Sequence, residues 1–272
     1  VVDVPDLKAR EAILRVHARN KPLANGVDLS VIAKSTAGFT GADLANLLNE
    51  AALLAARRAK AFIEMPEIED AMIKVVVGTE KKTRNMGEKE RKLTAYHEAG
   101  HAIVTKLLPS QDPVHQISII PRGRAGGYTM SLPKEDKYYE TKSDMIDSII
   151  VLLGGRAAEK LKLDDISTGA SNDIERATKI ARQMVTKFGM SDRIGPIHLG
   201  SSNEEVFIGR DYQTKSNYSE SVAALIDDEV EAIIKTAYAK ATELLTANKN
   251  LLDNMARLLI ERETIYQDEV DM

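Results

Sequence analysis

One pentad constrains this chain more than any other feature: His97-Glu98-Ala99-Gly100-His101. An α-helix advances 100° per residue, so it places side chains four apart about 40° from each other, on one face. Both imidazoles can then reach one ion, and neutral His nitrogen suits Zn2+ at roughly 2.0 to 2.1 Å. The 272 residues include no cysteine. That removes disulfide scaffolds, thiol nucleophiles and every Cys-ligated zinc site, so a metal must be held by His and carboxylates.

The surroundings of the pentad fit a helix buried through a domain. The segment Glu88 to Leu108 predicts a helix stopped by Pro109. Thr94, Ala95, Tyr96, Ala102, Ile103 and Val104 are uncharged, and Leu93, Val104 and Leu108 extend its apolar surface. Two histidines and a glutamate are costly to bury there without partners. A bound metal lowers the pKa of water from 15.7 to about 7, and Glu98, adjacent to the first histidine, is placed to take the proton. Gly100 costs about 1 kcal/mol relative to Ala inside a helix, which predicts a neighbour packed too closely for a methyl group.

The pattern leaves the third ligand open. His115 stands before an expected strand, and His198 lies in Gly195-Pro196-Ile197-His198; both read as surface or packing residues. The carboxylate candidates are Glu159, in Gly154-Gly155-Arg156-Ala157-Ala158-Glu159, and Asp173, after Ser167-Thr168-Gly169-Ala170-Ser171-Asn172. Each also has a plain structural role: Asp173 in the first turn of a helix, where a negative charge is favoured, and Glu159 facing solvent.

Composition sets the remaining bounds. Hydrophobic residues make up 43% and charged residues 29%, the balance of a globular protein. With 37 Lys and Arg against 41 Asp and Glu, the net charge of -4 gives no global field for nucleic acid. The longest apolar runs, Ala51 to Ala56 and Ile149 to Leu153, fall far short of the roughly 20 residues that cross a bilayer. The opening Val-Val-Asp-Val, without a signal-peptide pattern, is read as the start of a fragment of something longer.

Periodicity divides the chain at residues 79–87. Before it, Pro5 to Val77 predicts four short helices, with Thr40 and Asp43 as a capping box for the third and Pro66 opening the fourth. The expected domains are a small helical bundle at 1–78, a linker at 79–87 and a second domain at 88–272. In the second domain, Val114 to Pro121 and Gly127 to Leu132 predict two strands around Gly123-Arg124-Ala125-Gly126-Gly127. Helices are expected at Thr141 to Leu163, Asp173 to Phe188, about Ser216 to Ala247 and Leu251 to Ile260, with a polar stretch to about Gln213. The fold class is therefore mainly α with a small sheet.

These motifs together resemble the FtsH family of membrane-anchored, ATP-dependent zinc metalloproteases. The pentad, the Gly154 to Glu159 segment and Ser167 to Ile174 resemble its zincin-type peptidase domain. Val2-Asp3 with Pro5-Asp6, His17 to Leu23, Gly38 to Leu44 and Asn49 to Arg57 resemble its AAA lid. The resemblance implies His97, His101 and Asp173 as zinc ligands and Glu98 as catalytic base, with Glu159 the alternative ligand. It also implies that Gly41 and Ala42 face the nucleotide in the intact enzyme, where ATP and Mg2+ drive the unfolding and translocation of unfolded or membrane protein substrates. A homohexamer is expected on the same ground, as is a membrane anchor in a missing N-terminal part, with this soluble region on the cytoplasmic or equivalent face. No Gly is followed by Lys, so the phosphate loop is absent and no ATP hydrolysis is expected from this fragment alone.

Two competing readings are weighed. A catalytically silent helical assembly module would explain the stripe Val222, Leu225, Ile226, Val230 and Ile233 equally well, but a complete H-E-x-x-H argues against lost catalysis. Nucleic-acid binding through residues 81–92 is disfavoured by the net charge. Tyr96 and Tyr128 are the aromatic hydroxyls considered for oxyanion stabilisation. A substrate strand could add to a sheet edge around Gly127 to Leu132, although ordinary hairpin packing is the favoured role for this stretch.

Overall fold

A computed structural model describes residues 3–81, 86–123, 125–133, 136, 137, 139–199 and 218–271. In chain order its helices are α1 (Leu7–Ala18), α2 (Leu29–Ser35), α3 (Gly41–Arg57), α4 (Met65–Val77), α5 (Glu88–Leu107), α6 (Lys142–Leu163), α7 (Ser171–Thr186), α8 (Glu220–Ala247), α9 (Lys249–Arg262) and α10 (Gln267–Asp271). The strands are β1 (Val114–Ser118), β2 (Tyr128–Ser131) and β3 (Thr264–Tyr266), and a 3-10 turn, Thr168–Ala170, leads into α7.

Helix starts follow local chemistry. Asp6 accepts from the Ala9 N–H at α1, and Thr40 with Asp43 forms a reciprocal capping box at α3. Thr141 and Asp144 repeat that box at α6, and Ser219 caps α8. Helix α4 has a proline in its first turn and stops at Gly78, whose φ of 105° suits glycine alone. A Cβ there would also lie 3.2 Å from the Gly123 Cα.

The chain forms two compact units, 1–98 with 112–138 and 254–272, and 99–111 with 139–253. The division passes through α5 after Glu98 and through α9 after Asp253, so each of these continuous helices contributes to both. In the first unit α1 to α4 close over Leu14, Leu44, Leu47, Leu48 and Ile63, none more than 1% exposed. The same unit carries an antiparallel sheet in the order β2-β1-β3, with β2 at one edge. The linker start is tied to it, since Lys81 N–H donates to Pro121 O and Gly123 N–H to Thr79 O.

In the second unit α6, α7 and α8 pack together through Ile149, Leu153, Ala177, Ala181, Met184 and Ile226, all buried. Alanines at Ala177 and Ala181 let the helices approach closely, as ridges do when they enter shallow grooves.

The mainly α architecture with a small sheet is as expected, but the sheet has three strands. Three residues are too few for a period-2 signal, and β3 exists because Ser118, Ile117 and Gln116 of β1 pair with Thr264, Ile265 and Tyr266. His115 lies within β1 rather than before it. Residues 82–85 of the expected linker, Arg124, and the expected stretch to Gln213 from residue 200 onward lie outside the described residues. Among the described residues no helix is long and apolar enough to cross a membrane.

Candidate metal centre

Helix α5 is buried from Thr94 to Thr105 on its inner faces, with Ala95, Ala99, Ala102, Ile103 and Val104 fully enclosed. Within that wall, His97, Glu98 and His101 are 8%, 6% and 9% exposed. The pentad thus sits where polar groups need partners.

Gly100 explains how α6 comes so near. A Cβ on Gly100 would lie 2.5 Å from Gly154 O and 2.6 Å from the Ala158 Cβ, and one on Gly154 would lie 3.0 Å from Gly100 O. Two glycines therefore let the backbones of α5 and α6 touch, which accounts for both the predicted close neighbour and Gly154 of α6. The close approach brings Val151 O to 2.8 Å from His101 Nδ1. A carbonyl only accepts, so Nδ1 is the donor, and in the neutral ring the Nε2 lone pair is left for a ligand.

That nitrogen faces α7. His101 Nε2 lies 3.5 Å from Asp173 Oδ2, in the first turn of the helix. His97, His101 and Asp173 each offer a ligand atom, and all lie within 4.8 Å of one another. Four ligands around a tetrahedral ion at about 2.05 Å stand roughly 3.4 Å apart, and the 3.5 Å between His101 Nε2 and Asp173 Oδ2 suits two ligands of one small cation.

Glu159 has a different place from the one expected. Its side chain is completely buried rather than facing solvent, and its carboxylate accepts from Ser167 N–H at 2.7 Å and Ser167 Oγ at 3.1 Å. Ser167 Oγ in turn accepts from Gly169 N–H at 3.1 Å. The glutamate braces the turn that launches α7, and it is not among the clustered ligand atoms.

Glu98 turns towards β2, where Thr129 Oγ1 donates to its Oε2 at 2.8 Å. Sequence reasoning passed over Thr129, because nothing in a four-residue strand signals which side chain meets a helix. Val151 was equally silent, since a carbonyl contact leaves no residue-type trace. Tyr128 is buried and its hydroxyl pKa is raised, chiefly by desolvation, whereas Tyr96 is half-buried. His198 is exposed, and neither it nor His115 is in the cluster. Gly41 and Ala42 open α3, half-buried and exposed respectively, and belong to no metal group among the described residues.

Comparison with known proteins adds a second line of evidence. The model of peptidase family M41 matches residues 84–272, and that of the AAA+ lid domain matches residues 26–70. A relative named ATP-dependent zinc metalloprotease FtsH, from Caldicellulosiruptor bescii, is 63% identical over 269 residues, covering 99% of this chain and 44% of the relative. FtsH 1 of Thermoanaerobacter sp. is 60% identical over 270 residues, with 99% and 44% covered. FtsH 2 of Alkaliphilus metalliredigens is 56% identical over 272 residues, with 100% and 40% covered. The chain thus spans less than half the length of these curated relatives.

Proposed function

The chain belongs to peptidase family M41, and on that premise we propose that it is a zinc-dependent endopeptidase region in which His97, His101 and Asp173 hold the metal and Glu98 is the general base. The carrying observation is the convergence of two imidazole nitrogens and a carboxylate oxygen within 4.8 Å, with Glu98 next to the first ligand. The donor set suits zinc in kind, two imidazole nitrogens and a carboxylate oxygen, with His101 Nδ1 against Val151 O and its Nε2 3.5 Å from Asp173 Oδ2. When bound, zinc supplies Lewis acidity that polarises a carbonyl and acidifies water.

The residues of the chain do the rest. Glu98 accepts a proton from the water that attacks the peptide carbonyl carbon, and it returns that proton to the amine nitrogen as the C–N bond breaks. Asp173 brings negative charge to the pair of neutral imidazoles, and its place in the first turn of α7 lets the helix dipole stabilise that charge. Burial of Glu98 at 6% exposure keeps bulk water from competing for its proton. Among the described residues β2 lies at an edge of the sheet, and an extended substrate would pair there through its backbone, without regard to sequence.

The wider reading rests on the relatives' names and the lid match. Residues 1–78 form the AAA lid, 79–87 the linker and 88–272 the peptidase. In the intact protein ATP-driven unfolding feeds unfolded or membrane polypeptides to the site, Gly41 and Ala42 face the nucleotide, and the subunits form a membrane-anchored homohexamer with this region on the cytoplasmic or equivalent face.

Metal analysis combined with casein cleavage, with and without chelator, tests the core of this reading. One zinc per chain, cleavage abolished by chelator and restored by zinc, and a Glu98→Gln variant that keeps zinc but not cleavage are the expected results. Parent-rate cleavage by Glu98→Gln with zinc bound would remove the proposed base.

A further inference from the structure

We propose that Thr129 is the positioning residue of the general base, holding the Glu98 carboxylate in its working orientation from strand β2. This rests on the reading of Glu98 given above. Tyr128 and Met130 are buried on one face of β2, so Thr129 projects from the other, half-buried, towards α5. Its Oγ1 lies 2.8 Å from Glu98 Oε2 and 3.2 Å from Glu98 O.

A second contact from the same strand region acts on the stem of the glutamate. A Cβ on Gly127 would lie 2.9 Å from Glu98 Cγ, 2.7 Å from Ser118 O and 2.8 Å from Thr94 Cγ2. Only glycine lets the backbone lie flat against Glu98. Gly127 therefore lets the backbone approach the methylene stem of Glu98 while Thr129 holds the carboxylate.

A threonine hydroxyl has one donor and two acceptor sites, and here it donates to Glu98 Oε2. Serine offers the same chemistry, whereas valine matches the shape of threonine and offers none.

The test uses the zinc-loaded 272-residue chain and steady-state cleavage of a fluorogenic peptide by the parent, Thr129→Val, Thr129→Ser, Glu98→Gln and the double variant. Loss of a hydrogen bond to a charged group predicts that Thr129→Val lowers kcat about 10- to 100-fold. KM should stay within about twofold of the parent, as expected when ground-state binding is untouched. Zinc stoichiometry should remain at the parent value. Thr129→Ser should regain most of the rate, and Thr129→Val should cost nothing further in the Glu98→Gln background. Crystals of the zinc-loaded valine variant should show the carboxylate turned from its parent position. Thr129→Ala guards against a folding effect of valine and should show the same loss in kcat.

Parent kcat in Thr129→Val or Thr129→Ala, a serine variant as slow as the valine one, or a further slowing of Glu98→Gln by valine would each overturn the proposal. Parent-rate cleavage by Glu98→Gln alone would instead bring down the base assignment beneath it.

Discussion

The buried carboxylate of Glu159 receives both the backbone N–H and the hydroxyl of Ser167, at 2.7 and 3.1 Å, and so holds the turn from which α7 starts. Asp173 stands in the first turn of that helix, 3.5 Å from His101. The two acidic residues that the sequence alone could not separate thus have distinct places, one beneath the turn and one beside the histidines.

Different losses are expected from removing them. In chelator, Glu159→Ala strands two partly buried Ser167 donors and should destabilise the chain by about 1–3 kcal/mol, whereas Asp173→Ala should melt close to the parent. With zinc present the order of damage reverses for metal affinity, Asp173→Ala binding far more weakly. Thermal melting and zinc titration of the two variants measure both quantities.

Gly100→Ala tests the contact between α5 and α6. The added Cβ would meet Gly154 O at 2.5 Å and the Ala158 Cβ at 2.6 Å, and neither backbone can move without disturbing its helix. Overpacking of this kind costs about 1–3 kcal/mol, which outweighs the roughly 1 kcal/mol gained in helix propensity. A lower melting temperature is expected, and an unchanged or higher one would show that α6 yields.

Zinc should stabilise the folded chain, because a ligand bound only by the native state adds RT ln(1 + [L]/Kd), about 4.1 kcal/mol at 1,000 times Kd. The melting temperature should rise with zinc and fall back with chelator. His101→Ala should abolish the shift, since it removes both a ligand and the ring that bonds Val151 O. Calorimetry across a zinc series checks this.

Acid sensitivity in the first unit should trace to Glu67. Burial pushes its carboxyl up, but hydrogen bonds from Arg58 at 2.7 Å, Lys60 at 2.9 Å and the Glu64 N–H outweigh burial and lower it from 4.5 to about 2. A carboxyl depressed by folding contributes stability above its unfolded pKa and loses it as pH falls towards the folded one. Stability should therefore decline between about pH 4.5 and 2. Glu67→Gln should be less stable at neutral pH and flatter across that window, as denaturant melts at several pH values would show.

Much of the local structure is written in residue type. Thr40 and Asp43 start α3, Thr141 and Asp144 start α6, and the pentad turns two imidazoles to one side of α5, all through backbone geometry within a few residues. The absence of cysteine confines any metal to nitrogen and oxygen donors. Such features need no knowledge of what lies across the fold. Strand β3, by contrast, is three residues whose extended shape comes from pairing with β1, and Thr129 reaches Glu98 only because β2 lies against α5.

What the sequence by itself determined was the metal-capable helix and its chemical type, because spacing along a helix is fixed by its own hydrogen bonds. Only the tertiary structure decided that Asp173 joins the histidines while Glu159 braces a turn. That choice depends on Gly100 meeting Gly154, and on α6 packing against α7 closely enough to bring the first turn of α7 to His101. Those distances are set by side-chain volume between elements, which no local pattern encodes.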